Sequence, residues 1–582
     1  MKEMYAAANE WILAGTLKAL NEQKATVVKG GIVVFCHEDR VYAVDNRCPH
    51  LGFPLHLGSL CDGLLTCHWH HARFDICSGG TLDPWADDVP VHDVRIEDGS
   101  VWVSRRPRTS RRTADDAARL REGLEQNIGI VIAKAVVGLM EAGYPERDIV
   151  RIGIEFGTGV AGGWNSGLTI LTAMARVLPK LDRNGKILAL YQGLLHVARN
   201  SAGRPERRLL GPLPQGGVSL ERLASWYRNC IEVRDTQGAE RILLTAIGLG
   251  ATDDQLRSMM MTAATDHVYL DGGHTVDFHN KAFEALELVG PELRVRVLAS
   301  LVPLLSNPSR SEEQHHWQAP VDLVGPLRQA FALLEDGLPE KRRPLAPEEE
   351  ERLLGLLLAD RPLETIPALS ALLADGCHPA ELARMTALAA AERIVRFHTQ
   401  NDFGDWIAVL HTFTHAHAVH ETVARCDDPL PVRALFHSAA AIYLDRFLNV
   451  PAAPRPNAAG SPGEPADKLL ELLDKRQQVN EAAAWAAGYL RGGGDPDALI
   501  NTLGHALLRE DAEFHSFQLL EAAIGEYESW KGRGDAFAER ARETLLLAAV
   551  RYLAAHAPTA RETPHTARIA QRLNRGERLF EE

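Results

Sequence analysis

Two short pairs of cysteine and histidine near the amino terminus constrain this chain more than any other feature. One residue separates Cys48 from His50, two separate Cys67 from His70, and sixteen residues lie between the pairs. Thiolates and neutral imidazoles are side chains that hold iron or zinc in proteins. Short β-branched and aromatic runs flank both pairs, so each pair is expected in a tight loop at the end of a hairpin. The four residues are therefore predicted to be metal ligands on a small all-β unit.

This spacing, followed by the segment RFD-x-x-SGG, closely resembles the Rieske family, and the segment itself resembles the bacterial Rieske ferredoxins. The resemblance covers the first fifth of the chain. It implies a [2Fe-2S] cluster in which Cys48 and Cys67 hold one iron and His50 and His70 hold the other, and it implies one-electron transfer. A structural zinc site uses the same residue types at short spacing. The flanking strands, the long gap between the pairs and the RFD-x-x-SGG segment favour the cluster.

Six positions depart from the family pattern. High-potential Rieske proteins carry one further cysteine in each loop, joined as a disulfide, where this chain has Phe53 and Trp69. The same proteins place hydroxyl donors to the cluster where this chain has Ala72 and Phe74, so we expect a reduction potential toward the low end of the Rieske range. Ferredoxin-like members usually have proline where this chain has His68 and glycine where it has His71, so the hydrogen bonding of the second loop is expected to differ.

The character of the chain changes at about residue 113. Short strand-like runs give way to Ala/Leu-rich segments of helical period, and almost nothing after this point alternates like a strand. We therefore predict a multidomain protein in which a small all-β Rieske domain precedes a large all-α array of helical hairpins. The predicted parts are residues 1–106 for the Rieske domain, 107–120 for a linker, 121–450 for the first part of the helical domain, 451–468 for a flexible linker and 469–582 for the second part.

Charge and composition exclude several classes of function. The formal net charge of -14 is spread over mixed-sign segments, and the one basic run, RRPRTSRR at 105–112, is interpreted as a solvated linker, so nucleic acid is not an expected partner. No apolar stretch is long enough to span a membrane, and the amino terminus lacks the pattern of a signal peptide. Eight cysteines are too few for a disulfide scaffold in 582 residues. These features predict a cytoplasmic protein.

The 24 histidines are clustered, which suggests a second metal site. On a helix His411 and His415 share one face, while His417, His420 and Glu421 share another. Each histidine alone is better explained by a cap or a core hydrogen bond, but four of them within ten residues of an apolar helix are costly to bury without partners. We predict a second metal site, for which non-haem iron is a candidate, with the candidate ligands His267, Asp271, His274, His411, His415 and His505.

Two further resemblances bear on the helical region. Asp271, His274 and His279 match the Asp-x-x-His-x4-His motif that carries the mononuclear iron of Rieske oxygenases, but in that family the motif lies in an α/β domain with a large antiparallel sheet, which this sequence does not predict. The helical part is also loosely similar to questin-oxidase-like all-α proteins in its scattered Gly-His and His-x-x-x-His helices. No motif matches well enough to assign a role to residues of this chain, and this resemblance implies only that an oxidation is possible.

Three functions remain open. In the first, the chain is an oxygenase-like oxidoreductase whose cluster passes electrons to a metal in the helical region, which activates dioxygen or reduces a small-molecule substrate. In the second, it is an electron carrier or redox sensor whose helical array docks a partner protein. In the third, a helical enzyme without a metal is regulated by the cluster. The Gly-rich stretch at 155–167 has no nucleotide-binding spacing, so a separate reductase or ferredoxin is expected to supply the electrons.

Overall fold

The computed structural model describes residues 10–38, 40–108, 113–214, 216–459 and 463–577. Within them the chain divides into two compact units. We call the first the cluster unit; it contains the described residues up to Pro145 together with those from His565 onward. The second, the helical unit, is Glu146–Pro564.

Nine strands form the β-part of the cluster unit. A six-stranded antiparallel sheet has the order β1-β9-β8-β4-β3-β2, and a smaller sheet has the order β5-β6-β7. The strands are β1 (Trp11–Thr16), β2 (Ala25–Val28), β3 (Ile32–His37), β4 (Arg40–Asp45), β5 (Ser59–Cys61), β6 (Leu64–Thr66), β7 (Arg73–Asp75), β8 (Val91–Glu97) and β9 (Ser100–Pro107).

Strand β3 is buried on both faces, which explains its unbroken apolar sequence. Val33 and Phe35 point into a core that also contains Cys48 and Cys67. Ile32 and the other alternate residues of the strand point into a second core, formed with strands β1 and β9. The large sheet therefore supports the two predicted ligand loops from one side, and the predicted all-β amino-terminal part is confirmed.

The rest of the described chain is helical, which confirms the predicted fold class. The helices are α1 (Leu17–Glu22), α2 (Thr113–Glu125), α3 (Gly129–Glu141), α4 (Glu146–Thr158), α5 (Ser166–Val177), α6 (Arg183–Ser201), α7 (Leu220–Glu232), α8 (Thr236–Gly248), α9 (Asp253–Ala264), α10 (His274–Val289), α11 (Arg294–Ala299), α12 (Val302–Ser306), α13 (Val324–Glu335), α14 (Pro347–Leu358), α15 (Pro362–Ala374), α16 (Pro379–Val395), α17 (Phe403–Val423), α18 (Arg433–Asp445), α19 (Lys468–Leu473), α20 (Val479–Arg491), α21 (Pro496–Leu508), α22 (Phe514–Ser529), α23 (Ala536–His556) and α24 (Glu562–Asn574).

Four helices of the helical unit surround a common centre. Helix α10 packs against α5 and α17, and α22 packs against the same two helices. Helices α10, α17 and α22 carry most of the histidines that the sequence singles out. No described helix combines the length and the hydropathy needed to cross a bilayer.

Described parts of both predicted linker segments belong to helices or make contacts in the structure. Residues 109–112 of the predicted linker 107–120 lie outside the described residues, but α2 begins at Thr113 and pairs with α3 as a hairpin inside the cluster unit. In the segment 451–468, Arg455 pairs with Glu392 of α16, and the N–H of Ala459 donates to a carbonyl of α20. Residues 460–462 of that segment lie outside the described residues. Composition alone does not reveal these contacts of Arg455 and Ala459.

Candidate functional site

The first pair of predicted ligands lies in the loop between β4 and β5, and the second lies between β6 and β7. Each loop is closed by its own backbone. The N–H of Cys48 donates to the carbonyl of Phe53 at 2.8 Å, and the N–H of Cys67 donates to the carbonyl of Ala72 at 2.9 Å. The two loops therefore present their cysteines in the same local geometry.

The fourth residue after each cysteine has a left-handed backbone. Gly52 has φ 83° and His71 has φ 63°. Their N–H groups donate to the carbonyls of Cys48 and Cys67 at 2.7 and 3.0 Å. Glycine adopts this conformation freely, whereas a residue with a Cβ is strained in it. His71 thus makes the same backbone hydrogen bond that Gly52 makes in the first loop.

The four predicted ligands converge at the ends of these loops. The buried thiols of Cys48 and Cys67 hydrogen-bond to each other, which lowers the pKa of Cys67 to about 6 and raises that of Cys48. The ring centroids of His50 and His70 are 4.9 Å apart. Burial lowers the pKa of both histidines, to about 4 for His50, so both rings are neutral near pH 7. Nδ1 of His50 is buried and has no hydrogen-bond partner among the described residues.

These residues fit a Rieske-type [2Fe-2S] cluster. Two thiols and two neutral imidazoles are the donor set that such a cluster uses. A buried ring nitrogen without a partner is costly unless a bound group satisfies it, which is the situation of His50. Cys48 and Cys67 would hold one iron and His50 and His70 the other, and the cluster would supply one-electron transfer.

Aromatic rings occupy the positions where high-potential members have a disulfide. Phe53 and Trp69 stack with centroids 6.2 Å apart, and Trp69 is 42% exposed. All eight cysteines of the chain are free thiols. Ala72 and Phe74 are fully buried and offer no hydroxyl to the loops.

Three histidines from three helices meet in the helical unit, and we call them the histidine trio. His274 begins α10, His411 lies within α17, and His515 lies in the first turn of α22. Their ligand nitrogens lie within 4.8 Å of one another, and the Nε2 atoms of His411 and His515 are 2.9 Å apart. Burial lowers the pKa of His274 to about 4 and that of His411 to about 2. Neutral imidazole is the form that binds metals, so the trio could hold a divalent ion.

One carboxylate next to the trio orients a ring, and a second lies nearby. Glu513, the residue before α22, accepts the Nδ1–H of His515 at 2.7 Å and the N–H of Ser516 at 2.8 Å. Burial acts to raise the pKa of Glu513, but these hydrogen bonds outweigh it and lower the pKa to about 2. Because Nδ1 of His515 carries this proton, its Nε2 keeps a free lone pair. On the other side, Asp277 lies 4.0 Å from Nδ1 of His274.

The segment before α10 has an unusual backbone. Tyr269, Asp271, Gly272 and Gly273 have φ values of 51°, 51°, 63° and 94°. A residue with a Cβ in this region costs roughly 1–3 kcal/mol and persists only where the surroundings enforce it. A Cβ added to Gly273 would lie 3.0 Å from the ring of Tyr269 and 3.1 Å from Cβ of His415. This tight turn brings the first residue of α10 into the trio.

A cavity of about 710 Å³ lies beside the trio, and His411 forms part of its wall. Much of the remaining wall is apolar and includes Trp317 and Phe447. Asp445 also lines the cavity; its Oδ2 is buried and has no hydrogen-bond partner among the described residues. Burial raises the pKa of Asp445 to about 8, so its carboxyl is protonated at neutral pH and can donate a hydrogen bond. The cavity has the size and lining of a small-molecule site.

Two of the histidines predicted for a second site bind carboxylates elsewhere. His267 lies between Glu312 and Glu232, at 2.6 and 2.7 Å, and hydrogen bonding to Glu312 raises its pKa. His505 bonds Asp182 at 2.8 Å. Both histidines therefore lie outside the trio. A histidine that is close to another in sequence need not lie close to it in the fold.

The remaining predicted residues lie near the trio without joining it. His415 follows His411 by one helical turn; its Nδ1 lies 3.3 Å from the carbonyl of Gly273, and its ring contacts Tyr269 at 4.8 Å. Asp271 lines the cavity and accepts a hydrogen bond from Ser309 at 3.5 Å.

The motif of Asp271, His274 and His279 is not assembled. Nδ1 of His279 bonds the carbonyl of Thr275 at 2.6 Å, inside the core. Five residues along a helix place two side chains on different faces. The residue that sequence reasoning did not select is His515. The sequence feature that could have pointed to His515 is Glu513, an acidic residue two positions earlier that stands immediately before α22.

The second face of α17 takes part in a buried ion network. The ammonium of Lys281 lies 2.8 Å from Glu284 and 2.5 Å from Glu521, and His417 bonds Glu526 at 2.7 Å. Glu284, His417 and Glu521 have the spacing of metal ligands, but the ammonium already bridges the two carboxylates. The network joins α10, α17 and α22, the three helices that carry the trio.

Comparison with known proteins identifies the amino-terminal part. A family model described as the Rieske [2Fe-2S] domain matches residues 10–92. The ferredoxin component of the naphthalene 1,2-dioxygenase/salicylate 5-hydroxylase systems of Ralstonia sp is 33% identical over 97 residues, which are 16% of this chain and 93% of that protein. Apoptosis-inducing factor 3 of Homo sapiens is 35% identical over 75 residues, 13% of this chain. The chain spans only 12% of the length of that relative.

A solved structure is also similar to a part of the chain. The ferredoxin of carbazole 1,9a-dioxygenase from Nocardioides aromaticivorans IC177 is 27% identical, with a TM-score of 0.16. The similarity covers 16% of this chain and 97% of that one. The four converging ligands, Cys48, His50, Cys67 and His70, all lie inside the residues that the family model matches.

Proposed function

This chain belongs to the Rieske [2Fe-2S] domain family, and from that premise we propose that it is an oxidoreductase whose cluster passes single electrons to a metal in the helical unit. The metal is a non-haem iron held by His274, His411 and His515. It acts on a small molecule bound in the cavity beside them.

The relatives support the first half of this proposal. Their names describe ferredoxin components of dioxygenase systems. In this chain a ferredoxin-like part and a candidate oxygen-activating part are joined covalently, which keeps donor and acceptor at a high effective concentration. A separate reductase or ferredoxin delivers electrons to the cluster, because the sequence has no nucleotide-binding motif.

The second half of the proposal, a metal in the helical unit, is supported by the convergence of three helices at the histidine trio. Three imidazoles can hold a divalent metal and leave coordination positions open. Zinc has no redox chemistry, so a trio that receives electrons from a cluster is better matched to iron, which would supply dioxygen activation when bound. The carboxylate of Glu513 holds the proton on Nδ1 of His515 and fixes the ring.

The cavity supplies the binding site for the small molecule. His411 belongs both to the trio and to the cavity wall, so a bound molecule lies next to the metal ligands. The apolar wall excludes water, and the protonated carboxyl of Asp445 donates a hydrogen bond to an oxygen of the ligand.

The test is the metal content of the full-length, cluster-loaded protein after reconstitution with ferrous iron. We expect iron beyond that of the cluster, with a separate paramagnetic resonance signal when nitric oxide is added. The substitution His411→Ala should remove this iron and retain the signal of the reduced cluster. His505→Ala is the matched control, because His505 binds Asp182 instead of the trio, and it should retain both.

Wild-type protein without additional iron or any other metal contradicts this proposal. Loss of the additional iron in both variants contradicts the assignment to the trio. A wild-type protein that holds only the cluster and co-purifies with a stoichiometric partner favours the alternative, in which the helical unit docks a partner protein of an electron carrier or redox sensor.

A further inference from the structure

A lysine outside the residues matched by the family model contacts the first cluster loop. Lys134 lies on α3, and its side chain is 5% exposed. Its ammonium donates to the carbonyl of Pro49 at 2.5 Å. Pro49 stands between the ligands Cys48 and His50, and Cys48 and Lys134 line the same cavity in the cluster unit. A buried cation therefore lies against the loop that holds two of the four ligands.

Lys134 belongs to a group of paired charges. Its ammonium lies 3.1 Å from Oδ2 of Asp87, and the guanidinium of Arg119 on α2 lies 3.0 Å from Oδ1 of the same carboxylate. Arg119 also lies 2.7 Å from Glu122, so both cations have a carboxylate beside them. Within this group, Lys134 makes the contact with the ligand loop.

The hairpin α2–α3 also holds the segment that supports a ligand ring. Arg119 donates to the carbonyls of Pro84 and Ala86 at 2.5 and 2.8 Å. Between these residues, Trp85 packs its ring against His50 with centroids 4.6 Å apart. The hairpin is therefore attached to the cluster site at two places, the carbonyl of Pro49 and the segment under His50.

A cation in this position affects the two redox states of a cluster unequally. Reduction adds one electron, so the cluster becomes one unit more negative and gains more from a nearby positive charge than the oxidised cluster does. Because the ammonium is buried, salt in the solvent screens this interaction little.

We propose that Lys134 is a redox-tuning residue, whose charge raises the reduction potential of the [2Fe-2S] cluster. The α2–α3 hairpin is then a functional part of the cluster unit. The charge of Lys134 raises the reduction potential, whereas the absence of hydroxyl donors at Ala72 and Phe74 lowers it. The inference rests on the cluster alone and not on a metal in the helical unit.

The test is a spectroelectrochemical titration of the full-length, cluster-loaded protein. Lys134→Met, which removes the charge, should lower the midpoint potential, and Lys134→Arg, which keeps it, should restore the wild-type value. Asp87→Asn should shift the potential in the opposite direction, upward, because it removes the anion that balances Lys134. Lys18→Met is the control, since it removes a charge from an exposed position of the same unit on α1 and should leave the potential unchanged.

Iron content and the resonance spectrum of the reduced cluster establish that each variant is loaded. Equal shifts in Lys134→Met and Lys134→Arg overturn the proposal, because they assign the effect to the shape of the loop. An unchanged potential in a loaded Lys134→Met protein also overturns it. If that variant does not retain the cluster, Asp87→Asn decides: a rise in potential supports the proposal, and no change or a fall overturns it.

Discussion

The cluster loops and the histidine trio use similar side chains but are assembled in different ways. The four cluster ligands lie between residues 48 and 70, in two loops that their own backbone hydrogen bonds close. The trio comes from residues 274, 411 and 515, and only the packing of α10, α17 and α22 brings these residues together. The first site is therefore a property of short segments, and the second is a property of a folded core.

The experiment that distinguishes the two sites most clearly replaces the cluster cysteines. Cys48→Ser combined with Cys67→Ser should abolish the visible absorption and the paramagnetic resonance of the cluster, because the remaining imidazoles cannot hold it. Additional iron bound by the trio should remain. Cys61→Ser is the control, since Cys61 is exposed on β5 and close in sequence, and it should keep the cluster. Loss of the cluster in the control as well would contradict the ligand assignment.

This difference also decides what sequence reasoning could find. The spacing of Cys48, His50, Cys67 and His70 is a local pattern, so these residues could be proposed as ligands from the sequence alone. The strands and the fold class were predictable from the local periodicity of apolar residues. His515 lies 104 residues beyond its contact His411, and no periodicity links the two positions. The clustering of histidines in the sequence pointed to His267 and His505 instead, because such clustering reports distance along the chain and not distance in the fold. Lys134 was hidden for the same reason, since its contact with Pro49 is separated by 85 residues.

A change in the ion network should disturb the trio and leave the cluster loops intact. Lys281→Met leaves the carboxylates of Glu284 and Glu521 buried without their ammonium, which should cost about 3–5 kcal/mol in the free energy of unfolding. Lys186→Met is the control: Lys186 forms a half-exposed pair with Glu146 at 3.0 Å, worth less than about 1 kcal/mol. Urea unfolding followed by helical circular dichroism measures both. Equal effects of the two variants would rule out the network as a support of the helical core.

The stability of the helical unit should also depend on pH through this network. Burial acts to lower the pKa of His417, but Glu521 and Glu526 raise it to about 10, compared with 6.5 in an unfolded chain. Its stabilising effect is complete below pH 6.5 and is lost as the pH rises toward 10. Burial raises the pKa of Glu526, but His420 and His417 lower it to about 2 from 4.5, so its contribution is lost as the pH falls below 4.5.

Urea midpoints measured across this range should therefore be highest between pH 4.5 and 6.5. The substitution His417→Gln should flatten the alkaline side of the profile. A wild-type profile that is level from pH 6.5 to 10 would be incompatible with a protonated His417.

A smaller effect, on the affinity for iron, is expected at Glu513, whose carboxylate orients the ring of His515. Glu513→Gln keeps the size of the side chain but weakens its hold on Nδ1–H of His515, and the affinity for iron should fall about 10- to 100-fold. Glu513 also caps α22, so Asp535→Asn at the corresponding position before α23 controls for capping. Equilibrium dialysis of iron measures both variants. A matching loss in Asp535→Asn would assign the effect to helix stability.

The smallest effect is expected in the second cluster loop. His71→Gly relieves a left-handed backbone that Gly52 adopts freely in the first loop, and it should stabilise the cluster against urea by less than about 1 kcal/mol. Gly52→Ala at the equivalent position should have the opposite sign and cost about 1 kcal/mol or more. The loss of visible absorption on urea titration reports both. A destabilised His71→Gly protein would mean that the imidazole makes a contact worth more than the strain.

The stacked pair of Phe53 and Trp69 has a consequence for how the cluster responds to its surroundings. A disulfide between these positions would tie the shape of the two loops to the balance of thiols and disulfides outside the protein. Two stacked aromatic rings stand in the place of such a bond, so a reducing agent has no disulfide to cleave between these positions. The packing of the two loops at this point is therefore independent of thiol–disulfide exchange with the solution.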